Sequence, residues 1–529
     1  MSCEQSPRSA PPIRKAAALL DLFLAIACLA LAHSTRSGQA QAEEAITSPA
    51  VLTRLRQFEE AGKFAEADAL AAASLAGTSL SPATATYRQV EFERERLWRI
   101  RQDYPLSRDE LAAAVRSAVR DLTDAEFSAW LKAGRFDGRP IDGSVRYLKV
   151  SVSNLFFRHP ELESRRLRPR GNPALARAMW TNAMAIRDAA RSAGRPYVLP
   201  KQFSVHMALR LKPDAWSALN EPSPARAWLP LPRQSSVQDN LRIVRSEPAR
   251  YTLAPPESSI RSIYFERMLP SPTTNAAVEF TVDYEYRAHG VWFDLTPEKS
   301  QPLSPGETEL AQFLKEAPHV EFSPAMRRLS QQLEGSETNP VRRAKRFYDW
   351  IAGHIRYSFA PEYSTIRNLS EFCLSRGYGD CGMEALLFMT LCRMNGIPAR
   401  WQSGWSIFPG AETIHDWCEI YLAPWGWVPV DPYMGIYASQ YTPTLTAQQR
   451  QELSDFYFGG LTQFRMTANS DHNQALVPAK GSFRSDDVDF QRGEVDIGGR
   501  NVYFNQQTFD FKFWILDFAL DSDLDYLLD

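Results

Sequence analysis

Three residues carry groups that together could open an amide: the thiol of Cys381, the imidazole of His415 and the carboxylate of Asp431. A thiol attacks as its anion, needs a base to take its proton, and that base works best when a carboxylate fixes its tautomer. Taken alone, Cys381 has blander readings: half of a disulfide, a metal ligand or core filling. Metal is disfavoured. The chain has no C-x-x-C pair, and the one close Cys/His couple, His415 with Cys418, diverges on a strand. No cofactor is expected.

These groups need elements to position them. "GYGDCGMEALLFMTLCRMNGIPAR" (377–400) reads as a buried helix, with Asp380 as N-cap and Gly396 at the exit. Cys381 then sits in the first turn, where unpaired N–H groups and the positive end of the helix dipole favour a thiolate. "IHDWCEIYL" (414–422) reads as a strand. His415, Trp417, Glu419 and Tyr421 share one face, and Asp416, Cys418, Ile420 and Leu422 the other. The turn "APWGW" leads to "WVPVDP", which lies alongside and brings Asp431 toward His415 across the pair. Trp401 and Trp417 could line a groove or pack in the core.

A cysteine at a helix start, a histidine in H-x-W-x-E and an aspartate in a D-P turn one strand later resemble the transglutaminase-like family. The "GDCGMEALLFMTLCRMNGIPARWQSGW" passage is similar too, and the likeness runs over residues 340 to 435. The resemblance implies a papain-like core with Cys381 as nucleophile, His415 as base and then acid, and Asp431 as orienting carboxylate. It also implies an oxyanion held partly by the Cys381 N–H, with a second donor that no residue here identifies.

The rest of the 529 residues indicates an α+β chain of several domains. Residues 43–195 read as a helical region, with a helix–turn–helix rhythm around Gly62 and no second copy at a fixed spacing. Residues 196–300 carry short β-branched and aromatic segments, the mark of an antiparallel β domain. The transglutaminase-like core is placed at 306–440, and a β/loop segment at 441–529. Lys plus Arg (60) against Asp plus Glu (62) leaves a net charge of −2 and no basic stripe, so nucleic acid is not an expected partner.

Arg8, Arg14 and Lys15 precede the apolar run "LFLAIACLALA" and the small-residue site Ala40-Gln41-Ala42, which together read as a signal peptide over residues 1–42. The run is too short for a transmembrane anchor. Export to the periplasm or the extracellular space follows, the alternative being a lipoprotein with lipid on Cys28. Cleavage would leave Cys373, Cys381, Cys392 and Cys418, clustered as in a site rather than spread as in a disulfide scaffold, although a Cys373–Cys418 bridge is conceivable. The expected function is an exported thiol enzyme that hydrolyses peptide amides, in extracellular protein or the peptide stems of cell wall. Protein–glutamine γ-glutamyl transfer is the alternative chemistry, and a non-catalytic scaffold the alternative class.

Overall fold

The computed structural model describes residues 48–77, 84–168, 174–216, 221–269, 278–303 and 308–516. The expected leader, with Cys3 and Cys28, and the acidic end "LDSDLDYLLD" lie outside them.

The chain divides into two units, Met1–Gln102 with Arg139–Arg146, and Asp103–Gly138 with Tyr147–Asp529. Within the first, helices Ser48–Glu60 and Phe64–Ala76 turn on Gly62. Its φ of +72°, with the Pro140 carbonyl 2.9 Å from where a Cβ would sit, suits only glycine. Asp142 fixes the turn, taking the Ala65 N–H at 2.8 Å and pairing with Arg101 at 2.7 Å.

The second unit holds three antiparallel sheets and the helices that pack on them. One sheet runs in the order Gly460–Leu461, Val278–Trp292, Tyr197–Leu211, Gln507–Ile515, with Gln238–Glu247 also pairing to Val278–Trp292. Along Val278–Trp292 every second side chain from Val278 to Ala288 is buried, a period-2 pattern that drives one face into the core. A second sheet joins Arg500–Val502, Glu494–Ile497, Pro224–Pro230, Ser262–Met268 and Thr252–Leu253 in that order. The C-terminal strands are therefore not a separate layer but complete the sheets begun in residues 196–300. Phe511 pairs with Met207 and Val495 with Ala227. Helix Ala447–Phe456 precedes them, capped by a reciprocal Thr446–Gln449 box, where the sequence suggested strands and loops.

The third sheet, Gly426–Val430, Thr413–Leu422, Ala399–Ser406 and Arg465–Asn469, supports the site. Helix Cys381–Met394 packs on it, buried continuously from Gly382 to Arg393, and helices Pro340–His354, Leu369–Arg376 and Pro432–Gln440 close around it. Trp401 and Trp417 are 0% and 1% exposed, so both fill the core and neither lines a groove. All four described cysteines are free thiols, and Cys373, Cys392 and Cys418 are buried, so the conceivable Cys373–Cys418 bridge is not formed. No described helix is long and apolar enough to cross a membrane.

Candidate active site

Asp380 caps the Cys381 helix as its residue type dictates: its side chain takes the Met383 N–H at 3.2 Å and its carbonyl that of Glu384. The cap leaves the N–H groups of Cys381 and Gly382 as first-turn donors. Gly382 has no room for a side chain. A Cβ there would lie 2.1 Å from Tyr363 Oη, 2.7 Å from Asp416 Oδ2 and 2.8 Å from Trp401 Cη2.

His415 and Asp431 are joined. Nε2 of His415 lies 2.8 Å from Oδ2 of Asp431, because strand Gly426–Val430 pairs Val430 with Cys418 and then hands Asp431 to the N-cap of helix Pro432–Gln440. The same Oδ2 accepts from Arg465 Nη2 at 2.6 Å, and Oδ1 takes the Met434 N–H at 3.1 Å. Burial alone would raise the Asp431 pKa, but His415 and Arg465 outweigh it and hold the carboxyl below its usual range. Burial likewise lowers the His415 pKa, against Asp431 and with Arg465. The pair is thus a neutral imidazole and an ionised carboxylate. Nε2 carries the hydrogen and Nδ1 the lone pair. Trp417 stacks on the ring at 5.9 Å and Tyr433 meets it edge-on at 5.2 Å.

Cys381 is bonded to the chain neighbour of His415. Its Sγ–H donates to Asp416 Oδ2 at 3.7 Å, and no hydrogen bond runs from the sulfur to His415. Asp416 is 3% exposed. Its Oδ2 also accepts from Tyr363 Oη at 3.2 Å and its Oδ1 from Gln491 Nε2 at 2.8 Å. The same Tyr363 Oη lies 2.8 Å from Asp380 Oδ1, so its single hydrogen is shared between the two carboxyl groups. Gln491 reaches the backbone carbonyls of Gly404 and His415 as well, each at 3.0 Å. The buried Asp489, bonded to Ser403 and to Asn469 Nδ2 (3.0 Å), and the partly buried Asp486 complete a cluster of acids.

Burial, with these acids adding to it, reverses the thiolate preference expected of a helix start. Burial pushes the Cys381 thiol well up, Asp416 and Asp380 push it further, the Asp416 N–H opposes, and Glu384 adds to the rise. At rest the sulfur is a thiol. Burial raises Asp380 to about 6 against its bonds from Tyr363 and Met383, and Asp486 to about 7 beside Asp489. Asp416 is raised well above its ordinary value by burial and then by Asp489 and Asp380. Glu384, one turn into the helix, is fully buried with neither oxygen bonded, and burial keeps it a neutral acid.

Asp416, Tyr363, Arg465 and Gln491 were not singled out from the sequence. One signal was present for Asp416, a charged residue on the same strand face as Cys418, Ile420 and Leu422. Arg465 in "TQFRMTAN" gave none, since its partner is set by a distant strand.

Residues 327–432 match the transglutaminase-like superfamily core, and this stretch is a transglutaminase-like domain. A curated Haemophilus influenzae protein described as uncharacterized is 24% identical over 190 residues, covering 28% of this chain and 46% of its own. The chain thus spans about half the length of that relative (46%). Among solved structures, a candidate cysteine protease of Cytophaga hutchinsonii is 14% identical, with TM-score 0.41 over 61% of this chain and 93% of that one. The periplasmic domain of TgpA from Pseudomonas aeruginosa is also 14% identical, with TM-score 0.23 over 47% of this chain and 98% of that one.

Proposed function

We propose that the transglutaminase-like domain is an exported thiol hydrolase of peptide amides, acting on extracellular protein or on the peptide stems of cell wall. The observation that carries the reading is the His415–Asp431 bond: it occupies Nε2 and leaves the basic Nδ1 for a thiol. The reading requires the Cys381 sulfur, bonded at rest to Asp416, to meet that nitrogen as substrate enters.

Nδ1 takes the proton as sulfur attacks the amide carbon, and the carbonyl electron pair moves to oxygen. The Cys381 N–H faces that oxyanion. The tetrahedral intermediate collapses, the C–N bond breaks, and imidazolium protonates the departing amine. Water, deprotonated by the same nitrogen, opens the thioester and returns the thiol. Asp431 stays ionised throughout, held so by Arg465, and stabilises the imidazolium. A primary amine in place of water would give γ-glutamyl transfer. Hydrolysis is favoured because the chain shows the leader pattern and no calcium-loop motif.

The test is product mass. The mature protein is incubated with glutamine-bearing and branched cell-wall-type peptides, with and without a primary amine. Cleaved or deamidated peptide, absent with Cys381→Ala, supports hydrolysis. Amine-adducted peptide alone would replace it with transfer, and no product from any peptide would remove the enzyme reading.

A further inference from the structure

We propose that Asp416 is a further catalytic residue of this site: its carboxyl, in contact with the Cys381 sulfur, decides whether that sulfur can ionise. The inference rests on Cys381 being the nucleophile.

The geometry is a chain of hydrogen bonds that ends on the reacting atom. Asp380 Oδ1 accepts from Tyr363 Oη at 2.8 Å, the same hydroxyl lies 3.2 Å from Asp416 Oδ2, and that oxygen takes the Cys381 Sγ–H at 3.7 Å. Tyr363 has one hydrogen for two carboxyl groups. A second proton held by either carboxyl completes the chain, and burial of Asp416 favours its keeping one. Every group facing Asp416 can be named. Asp380 and Cys381 face it from the nucleophile helix, and Tyr363 from the turn before it. Asp489, Asp486 and the amide of Gln491 face it from the C-terminal segment. The cations in reach belong to the far side of that set: Arg492 is 3.8 Å from Asp486 and pairs with Glu362 at 2.6 Å, and Arg484 acts on Asp489. None bonds Asp416 itself.

An ionised Asp416 repels a thiolate and pins the proton on sulfur. A neutral Asp416 removes that repulsion and can donate its own O–H to the sulfur anion, leaving Nδ1 of His415 free to take the thiol proton. The sign is therefore fixed: Cys381 ionises more readily when Asp416 carries its proton, and the neutral form extends to higher pH because buried acids surround it.

The experiment is the pH profile of Cys381 alkylation by iodoacetamide in the full chain, with the peptide bearing Cys381 quantified by mass and Cys381→Ala as blank. Asp416→Asn mimics the neutral carboxyl permanently. It should move half-maximal labelling at least one pH unit lower, with a gain in rate of about tenfold in the alkaline range where the wild-type carboxyl has lost its proton. Tyr363→Phe withdraws the hydroxyl that favours an ionised Asp416, and so extends the labile range upward. It serves if the first variant unfolds in a melting control. An unshifted profile in Asp416→Asn, or in Tyr363→Phe where only that variant stays folded, or a shift of half-maximal labelling to higher pH in either, would overturn the assignment. Labelling needs no substrate: a shifted profile in a protein that cleaves nothing sinks the hydrolase reading alone, and an unshifted one in an active hydrolase sinks this one alone.

Discussion

Arg465 and His415 bind the same oxygen, Oδ2 of Asp431, at 2.6 and 2.8 Å, and the carboxylate is 0% exposed. The arginine comes from strand Arg465–Asn469, beyond the domain that supplies the other two. It supplies a fixed positive charge that keeps Asp431 ionised whatever the state of the imidazole.

Neutralising the carboxylate should remove the tautomer control and leave the buried Arg465 without its counter-charge, so turnover is compared on folded protein. Asp431→Asn is expected to lower amide turnover by on the order of 10³–10⁴-fold, comparable with Cys381→Ala within assay background. Single-turnover assays on one peptide would show it. Retention of more than a tenth of wild-type turnover would mean that His415 does not depend on Asp431.

Removing the arginine should affect folding and chemistry together. Arg465→Met strips a buried pair of one partner, a loss of about 3–5 kcal/mol. It also lets burial raise the Asp431 pKa, so the acid limb of the rate profile moves to higher pH. Urea titration and a pH–rate series would check the two halves. Arg465→Lys should recover the profile better than the stability, since a lysine restores charge but not the planar fork.

Gly382→Ala tests crowding beside Cys381. The new methyl would lie 2.1 Å from the Tyr363 hydroxyl. Tyr363 must then leave Asp380 and Asp416, at a cost of about 1–3 kcal/mol. Thermal denaturation should register the loss, and Cys381 labelling should change its pH dependence even where the fold survives.

Stability should depend on pH through His319. Burial, with His472 second, lowers its pKa from 6.5 to about 4. The unfolded chain binds the extra proton first, so stability falls as pH drops through 6.5 and levels out below about 4. The shift corresponds to on the order of 3 kcal/mol. Asp486, raised to about 7, acts oppositely: its folded form binds the proton first, so its contribution falls as pH rises from 3.8 through 7. Denaturant midpoints against pH for His319→Asn and Asp486→Asn should change slope in opposite directions.

The site's local parts were legible because they depend on short-range rules. Asp380 announced a helix start, and the hairpin through Gly426 set His415 and Asp431 within reach of each other. The long-range parts were not. Arg465, Gln491 and Asp489 reach the site through pairings across sheets, and no local periodicity encodes those. The thiolate expectation failed for the same reason. A helix terminus contributes about 0.3–1 kcal/mol, less than burial of the thiol opposes, with the neighbouring carboxyls adding to that opposition. Trp401 and Trp417 illustrate a further limit, since strand parity gives a side chain its face but not what covers that face.

Gln491 lies late in the chain, yet its amide bonds Asp416 and the carbonyl of His415, and strands still further on complete the sheet behind Trp405. On a ribosome releasing the polypeptide from its N-terminus, Cys381, His415 and Asp431 all emerge before these supports exist. The sulfur centre therefore matures only after Gln491 and the strand Gln507–Ile515 have emerged, and a chain cut short of them carries the three reactive groups without the surroundings that tune them.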